Sequence, residues 1–156
     1  MTRWPSPSSP TDVTFDTVPF VKQVPREMSL ADIQQVESDF AAAAHRAKEA
    51  GFDLIEIHGA HGYLIAQFLS PFANRRTDAY GAGILGRTRF AQEIVQHVRA
   101  AVGPDVPLQF RLSAEECVPG GLSIDQTRII ASLLEEAGID ALHADSEHRA
   151  GGVSRR

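Results

Sequence analysis

Residues able to do acid–base chemistry are concentrated in one stretch of the sequence, His58-Gly59-Ala60-His61-Gly62-Tyr63. It brings two imidazoles and a phenol close together, and its two glycines allow the backbone to turn tightly between them. Two histidines that donate hydrogen bonds to one carbonyl oxygen would polarise it and stabilise the enolate that develops there. A nearby phenol would deliver a proton to the neighbouring carbon. The stretch therefore predicts a site in which His58 and His61 bind an oxygen and Tyr63 donates a proton.

Two other interpretations of this stretch stay open from the residues alone. A histidine at a strand end is commonly a structural residue whose ring nitrogens meet nearby polar groups. Imidazole is also a common zinc ligand, but the His58-x-x-His61 spacing comes without an obvious third ligand. We therefore expect no metal site and weigh the catalytic interpretation against the structural one.

Arg111 is the second candidate, and it lies in an alternating stretch that is typical of a strand. One face of residues 108–113 is apolar, whereas the other carries Gln109, Arg111 and Ser113. An arginine that points into a barrel without a partner is costly, so it must meet an acid or an electron-rich ligand. A salt bridge to Glu56, on the matching face of the preceding strand, is the purely structural alternative.

The elements that position these residues alternate between helix and strand. Ser29 and Ser123 are predicted helix caps, while Gly51, Gly103 and Gly138 are predicted to end helices. The predicted helices are 30–50, a short one at 63–69, 87–102 and one that begins after Ser123. The predicted strands are 52–57 or 58, 107–113 and 139–144.

This alternation predicts a parallel sheet with right-handed crossovers, which both an open doubly wound sheet and a (β/α) barrel satisfy. A strand covered on both faces would be almost wholly apolar, whereas these strands have one apolar and one partly polar face. We therefore predict an α/β fold that is a section of a (β/α)8 TIM barrel, with about three βα units, since a full barrel takes about 250 residues. The predicted organisation is an irregular, proline-rich arm at 1–28 with a short extended piece near 13–15, a partial barrel at 29–144 and an unstructured tail at 145–156.

Composition excludes several classes of function. The 156 residues carry 15 basic and 20 acidic side chains, for a formal charge of −5, so no general field attracts nucleic acid or an anionic membrane. The lone Cys117 excludes an intramolecular disulfide and a multi-cysteine metal centre, which favours a reducing cytoplasm. The uncharged stretch 57–74 contains histidine, proline and glycine and is a poor membrane span.

Longer runs around the candidate residues closely resemble the old yellow enzyme family of FMN-dependent NAD(P)H:flavin oxidoreductases, or ene-reductases. The similarity covers about residues 25 to 143. The runs that carry it are 25–29, 51–53, 58–64, 67–71, 74–78, 80–81, 111–114 and 120–122.

The resemblance implies a (β/α) barrel, FMN as cofactor, NAD(P)H as reductant and an electron-poor alkene as substrate. By the same resemblance, His58 and His61 are similar to the pair that holds the carbonyl or nitro oxygen of the substrate above the flavin. Tyr63 matches the family's proton donor. Arg111 matches the arginine that contacts the flavin pyrimidine edge and favours negative charge there.

The sequence departs from the family's pattern in three places. Residues 82–87 lack the usual capping residues of the next helix, and the sequence from Asp145 onward is unlike the family. The strands that supply other flavin contacts and hold the FMN phosphate are not found. The alternative expectation is therefore a non-catalytic barrel fragment without stable flavin binding, which exposes sheet edges. Either a homo-oligomer or a complementing chain would cover those edges.

Overall fold

Three parallel strands and the helices between them form the frame of the molecule in a computed structural model, which describes residues 8–9 and 25–146. The strands are β1 (Ser8–Ser9), β2 (Arg26–Glu27), β3 (Ile55–Gly59), β4 (Leu108–Glu115) and β5 (Ala141–Ser146). The sheet order is β3-β4-β5, and β1 and β2 form a separate parallel pair. The helices are α1 (Leu30–Glu49), α2 (Leu64–Leu69), α3 (Ile84–Val102) and α4 (Ile124–Ala137).

Local signals define the ends of α1 and α4, as predicted. Ser29 and Asp32 form a reciprocal capping box at the start of α1, and Ser123 and Gln126 do the same for α4. Gly138 ends α4 in the left-handed region at φ 116°. These contacts satisfy backbone groups that a helix end leaves free, so the helices begin where the sequence indicates.

Some predicted boundaries were wrong by a few residues. Helix α3 begins at Ile84, three residues before the predicted start, and its cap Gly83 makes no side-chain hydrogen bond, in line with the weak cap noted above. Strand β3 begins at Ile55, where pairing to Leu108 starts, whereas Phe52 stays exposed. Strand β5 runs from Ala141 to Ser146, whereas the predicted strand was 139–144. Residues 13–15 lie outside the described residues.

The core lies between the sheet and its helices, on the apolar face of the strands. Phe68, Phe90 and Phe110 are fully buried there, and the rings of Phe68 and Phe90 are 4.2 Å apart between centroids. Aromatic rings remove large apolar areas from water, so they contribute strongly to the stability of the fold. The opposite face of β3 and β4 carries the partly exposed polar residues, as the alternation predicts.

The loop between α2 and α3 is held by two buried polar side chains. Asn74 donates from Nδ2 to the carbonyl oxygens of Phe68 and Tyr80, at 2.8 and 2.7 Å. The Arg76 guanidinium, whose side chain is only 6% exposed, donates to the Met28 carbonyl at 2.7 Å and to Asp78. This loop contains one of the runs shared with the resembled family, and these contacts give it a structural role.

Candidate active site

Polar residues at the carboxyl ends of β3, β4 and β5 lie side by side at one end of the sheet. His58 lies opposite Arg111 in the pairing of β3 with β4, and Arg111 lies opposite His143 in the pairing of β4 with β5. Asp145 follows on β5, opposite Ser113. The carboxyl ends of barrel strands are where such folds place their active sites.

His58, His61 and Tyr63 converge, as the sequence predicts. The ring centroids of His58 and His61 are 5.1 Å apart with a steep interplanar angle of 66°. The ring of Tyr63 lies 5.2 Å from that of His58, and Tyr63 is 62% exposed at the cap position of α2. A small ligand at this edge is therefore accessible to both imidazoles and to the phenol.

The turn that brings these rings together depends on more than its two glycines. His61 itself has φ 59°, in the left-handed region, and Gly62 follows with φ 71°. The His61 backbone N–H donates to Ser113 Oγ at 3.1 Å, which fixes the turn to β4. Gly59 allows the Phe110 ring to pack closely against the backbone, because a Cβ at this position would lie 2.3 Å from that ring.

Arg111 forms an ion pair with Asp145, so the expected structural alternative, a salt bridge from Arg111 to Glu56, was wrong. Glu56 instead accepts hydrogen bonds from Gln109 and from His143 Nδ1, the latter at 3.1 Å. The Asp145 carboxylate also accepts from His61 Nε2 at 2.9 Å. Sequence analysis missed Asp145, since its partners lie 34 and 84 residues away along the chain.

The pKa values of His58 and Asp145 are both lowered, for different reasons. Burial lowers the pKa of His58, and the positive charges of His61 and Arg111 lower it further. His58 is therefore neutral near neutral pH and carries one N–H. Hydrogen bonds from Arg111 and from His61 hold the pKa of the Asp145 carboxyl at about 2, so that carboxyl is ionised.

At this end of the sheet, two buried donor or acceptor atoms lack a partner among the described residues. His58 Nδ1 and Arg111 Nε make no hydrogen bond within the part of the chain that the structure describes. An unsatisfied buried polar group costs about 1–3 kcal/mol, so both atoms favour a polar ligand. Among the same residues, no group of three or more histidines, cysteines and acids is arranged to hold a metal ion.

Residues 2–155 match the model of the NADH:flavin oxidoreductase / NADH oxidase family. The chain belongs to this family. It is 48% identical over 127 residues to an NADH oxidase of Thermoanaerobacter brockii, covering 81% of this chain and 20% of that protein. It is 46% identical over 131 residues to an NADPH dehydrogenase of Geobacillus sp., covering 83% of this chain and 38% of that protein.

A solved morphinone reductase in complex with tetrahydroNAD superposes with a TM-score of 0.78 at 31% identity. The match covers 90% of this chain and 42% of that structure, so the chain spans a fifth to two-fifths of these relatives. The comparisons confirm the resemblance to the old yellow enzyme family and the fold class, a section of a (β/α) barrel. FMN and NAD(P)H are the cofactors that membership implies.

The residues present fit a flavin. The pyrimidine edge of FMN presents carbonyl oxygens and ring nitrogens, which suit the unpartnered Arg111 Nε and its positive charge. The roles of His58, His61, Tyr63 and Arg111 stay predictions from the resemblance. Separately, no helix in residues 25–146 is both long and apolar enough to cross a membrane.

Proposed function

We propose that this chain carries the substrate-binding and proton-donating section of an FMN-dependent reductase that uses NAD(P)H to reduce activated C=C bonds. The observation that carries the proposal is the convergence of the His58, His61 and Tyr63 rings beside Arg111, at the carboxyl ends of β3 and β4. Residues 29–146 are the barrel section that positions them. The morphinone reductase found among the similar structures supports a reductase.

Each residue has a distinct part. His58 and His61 hold the oxygen of an enone or nitroalkene, which makes the conjugated double bond more electrophilic. FMN, when bound, supplies hydride to one carbon of that bond. Tyr63, exposed at the start of α2, delivers a proton from its hydroxyl to the other carbon. Arg111 holds the flavin and favours negative charge on it.

A second candidate function is a binding module without chemistry. Within the described residues, β3 and β5 each pair on one side only, and Phe52 and Leu54 are exposed beside β3. Open strand edges bind other strands, so a second copy or a complementing chain would pair there. Such a module would form complexes without retaining flavin.

Gel filtration of the chain after incubation with FMN separates the two candidates. Flavin absorbance that travels with a discrete protein species supports the reductase, whereas protein of increased size without flavin supports the binding module. The flavin-loaded species is then titrated with 4-hydroxybenzaldehyde, a phenolic probe of the histidine pair.

His58→Ala combined with His61→Ala removes two ligand hydrogen bonds, so we expect a dissociation constant for this probe that is about 10- to 100-fold higher. His45→Ala, at an exposed position on α1, is the matched control and should leave affinity unchanged. Equal affinity in the double variant and in wild type would remove the assigned role of the pair.

A further inference from the structure

The turn that carries His61 and Tyr63 is held by side chains from the elements on both sides of it. Ser113 on β4 accepts the His61 backbone N–H at its Oγ, 3.1 Å away, and is only 2% exposed. Gln67 on α2 donates from Nε2 to the Gly62 carbonyl oxygen at 2.8 Å. The two side chains lie in runs shared with the resembled family, and neither has a part in the proposed chemistry.

We propose that Gln67 and Ser113 are positioning residues: together they fix the backbone of this turn and so set the distances between the three rings of the proposed site. The proposal rests on the proposed function of those rings and adds two residues that hold them in place.

The backbone of the turn is in a conformation that its own residues do not favour. His61 has φ 59° and Gly62 has φ 71°, so two consecutive residues lie in the left-handed region. For residues other than glycine this region is disfavoured, because Cβ comes close to the following carbonyl oxygen. The bond from the His61 ring to Asp145, at 2.9 Å, restrains the side chain and not the backbone. His61 therefore needs contacts at its backbone groups.

The two side-chain hydrogen bonds act at the ends of this left-handed segment. The His61 N–H is its first polar backbone group and the Gly62 carbonyl is its last. All four rotatable backbone angles of the two residues therefore lie between the anchored groups. Both anchors are themselves held, since Ser113 belongs to the central strand of three and the Gln67 backbone N–H donates to the Tyr63 carbonyl at 2.9 Å.

Each anchor acts mainly on a different ring. Ser113 holds the backbone nitrogen beside the Cα that bears the His61 imidazole, whose centroid is 5.1 Å from that of His58. Gln67 holds the carbonyl that precedes Tyr63, whose ring lies 5.2 Å from that of His58. Loss of the Ser113 hydroxyl should therefore displace mainly His61, and loss of the Gln67 amide mainly Tyr63.

NMR spectroscopy of the full chain labelled with ¹⁵N and ¹³C, with no flavin added, tests the proposal directly. Although His61 is exposed, its amide should exchange slowly with water, and nuclear Overhauser contacts should join its ring to that of His58. Ser113→Ala should speed this exchange about tenfold and weaken the ring contacts, whereas Ser113→Thr, which keeps the hydroxyl, should retain both. Ser38→Ala removes an exposed hydroxyl on α1 and should change neither.

Gln67→Glu is the second, independent variant, because an ionised carboxylate has no proton to donate to the Gly62 carbonyl. It should weaken the nuclear Overhauser contacts between the Tyr63 and His58 rings, while the amide protection of β4 stays as in wild type. Gln34→Glu, which adds the same charge at an exposed position on α1, should leave these contacts unchanged.

Unchanged amide exchange and ring contacts in Ser113→Ala, or unchanged ring contacts in Gln67→Glu, would overturn the proposal. If one of the two variants does not fold, the other decides by the same criterion.

The flavin-loaded species gives a second readout, because the two anchors should affect different constants. Ser113→Ala should raise the dissociation constant of 4-hydroxybenzaldehyde about tenfold. Gln67→Glu should lower kcat for 2-cyclohexenone more than it changes KM, since Tyr63 is the proposed proton donor. Equal effects of both variants on both constants would contradict the separate roles. If no flavin-loaded species forms, the proposed function fails, while the NMR measurements still decide whether the two side chains hold the turn.

Discussion

Glu37 is a buried acid on the face of α1 that packs against α3. Because its protonation is coupled to folding, the stability of the protein should depend on pH. Its side chain is only 4% exposed, and Oε1 has no hydrogen-bond partner within the described residues. Burial raises the pKa of Glu37 to about 7, and the neighbouring Glu93 carboxyl adds to the increase. His97 Nδ1 lies 3.8 Å from Glu37 Oε2, and its side chain is half-exposed, so it stabilises the Glu37 carboxylate only weakly.

The sign and size of the effect follow from linkage between folding and protonation. The folded state favours protonated Glu37, so its stabilising effect is complete below the ordinary pKa of 4.5 and is lost as the pH rises through about 7. The full difference between these two pKa values corresponds to ~3 kcal/mol at most. Because solvent and nearby side chains relax around the buried carboxyl, we expect about 1–2 kcal/mol to be measured.

Glu37→Gln removes the charge at nearly constant shape, and urea unfolding followed by circular dichroism at about pH 5 and about pH 8 measures the result. At the higher pH the variant should be more stable than wild type by about 1–2 kcal/mol, and at the lower pH the two should be nearly equal. Glu49→Gln, at an exposed position at the end of the same helix, should leave the pH dependence of wild type unchanged. A Glu37→Gln advantage of the same size at both pH values would refute this reasoning.

Two further predictions concern the elements that hold the site. Gly81→Ala places a Cβ 2.0 Å from the Arg76 carbonyl oxygen, so the loop must shift. We expect a loss of about 1–3 kcal/mol in urea unfolding, and an unchanged midpoint would show that the loop yields easily. Ser123→Ala removes the cap of α4 and should cost about 1 kcal/mol in thermal unfolding, whereas Ser123→Asp should retain most of the stability. Equal losses in both Ser123 variants would argue against a capping role.

Sequence signals that act over a few residues predicted their structures well. Ser29 and Ser123 form their capping hydrogen bonds with residues three positions later in the sequence. The alternation of apolar and polar residues in β4 predicts which face of the strand is buried. The cluster of His58, His61 and Tyr63 was predictable for the same reason, since a single turn between β3 and α2 brings it together.

Features that depend on distant partners were not predictable in this way. Asp145 was assigned to an unstructured tail, because only its contacts with Arg111 and His61, 34 and 84 residues away, show its place in the sheet edge. Phe52 was predicted to open β3 on its apolar character, but pairing with β4 begins only at Ile55. No local pattern indicates that Glu37 is buried, since an acid in a helix is usually exposed.

The close approach of Gly59 to Phe110 limits how this site can change. Phe110 packs in the core, and the next residue on the same strand is Arg111. Two adjacent residues of β4 therefore face the core and the candidate site, respectively. Any side chain at position 59 would push the ring and, through it, the strand that carries the arginine. Remodelling of the site for new ligands is therefore open mainly at exposed or partly exposed positions. Examples are His61 and Tyr63 on the turn and Asp145 on the next strand, where substitutions leave the interior intact.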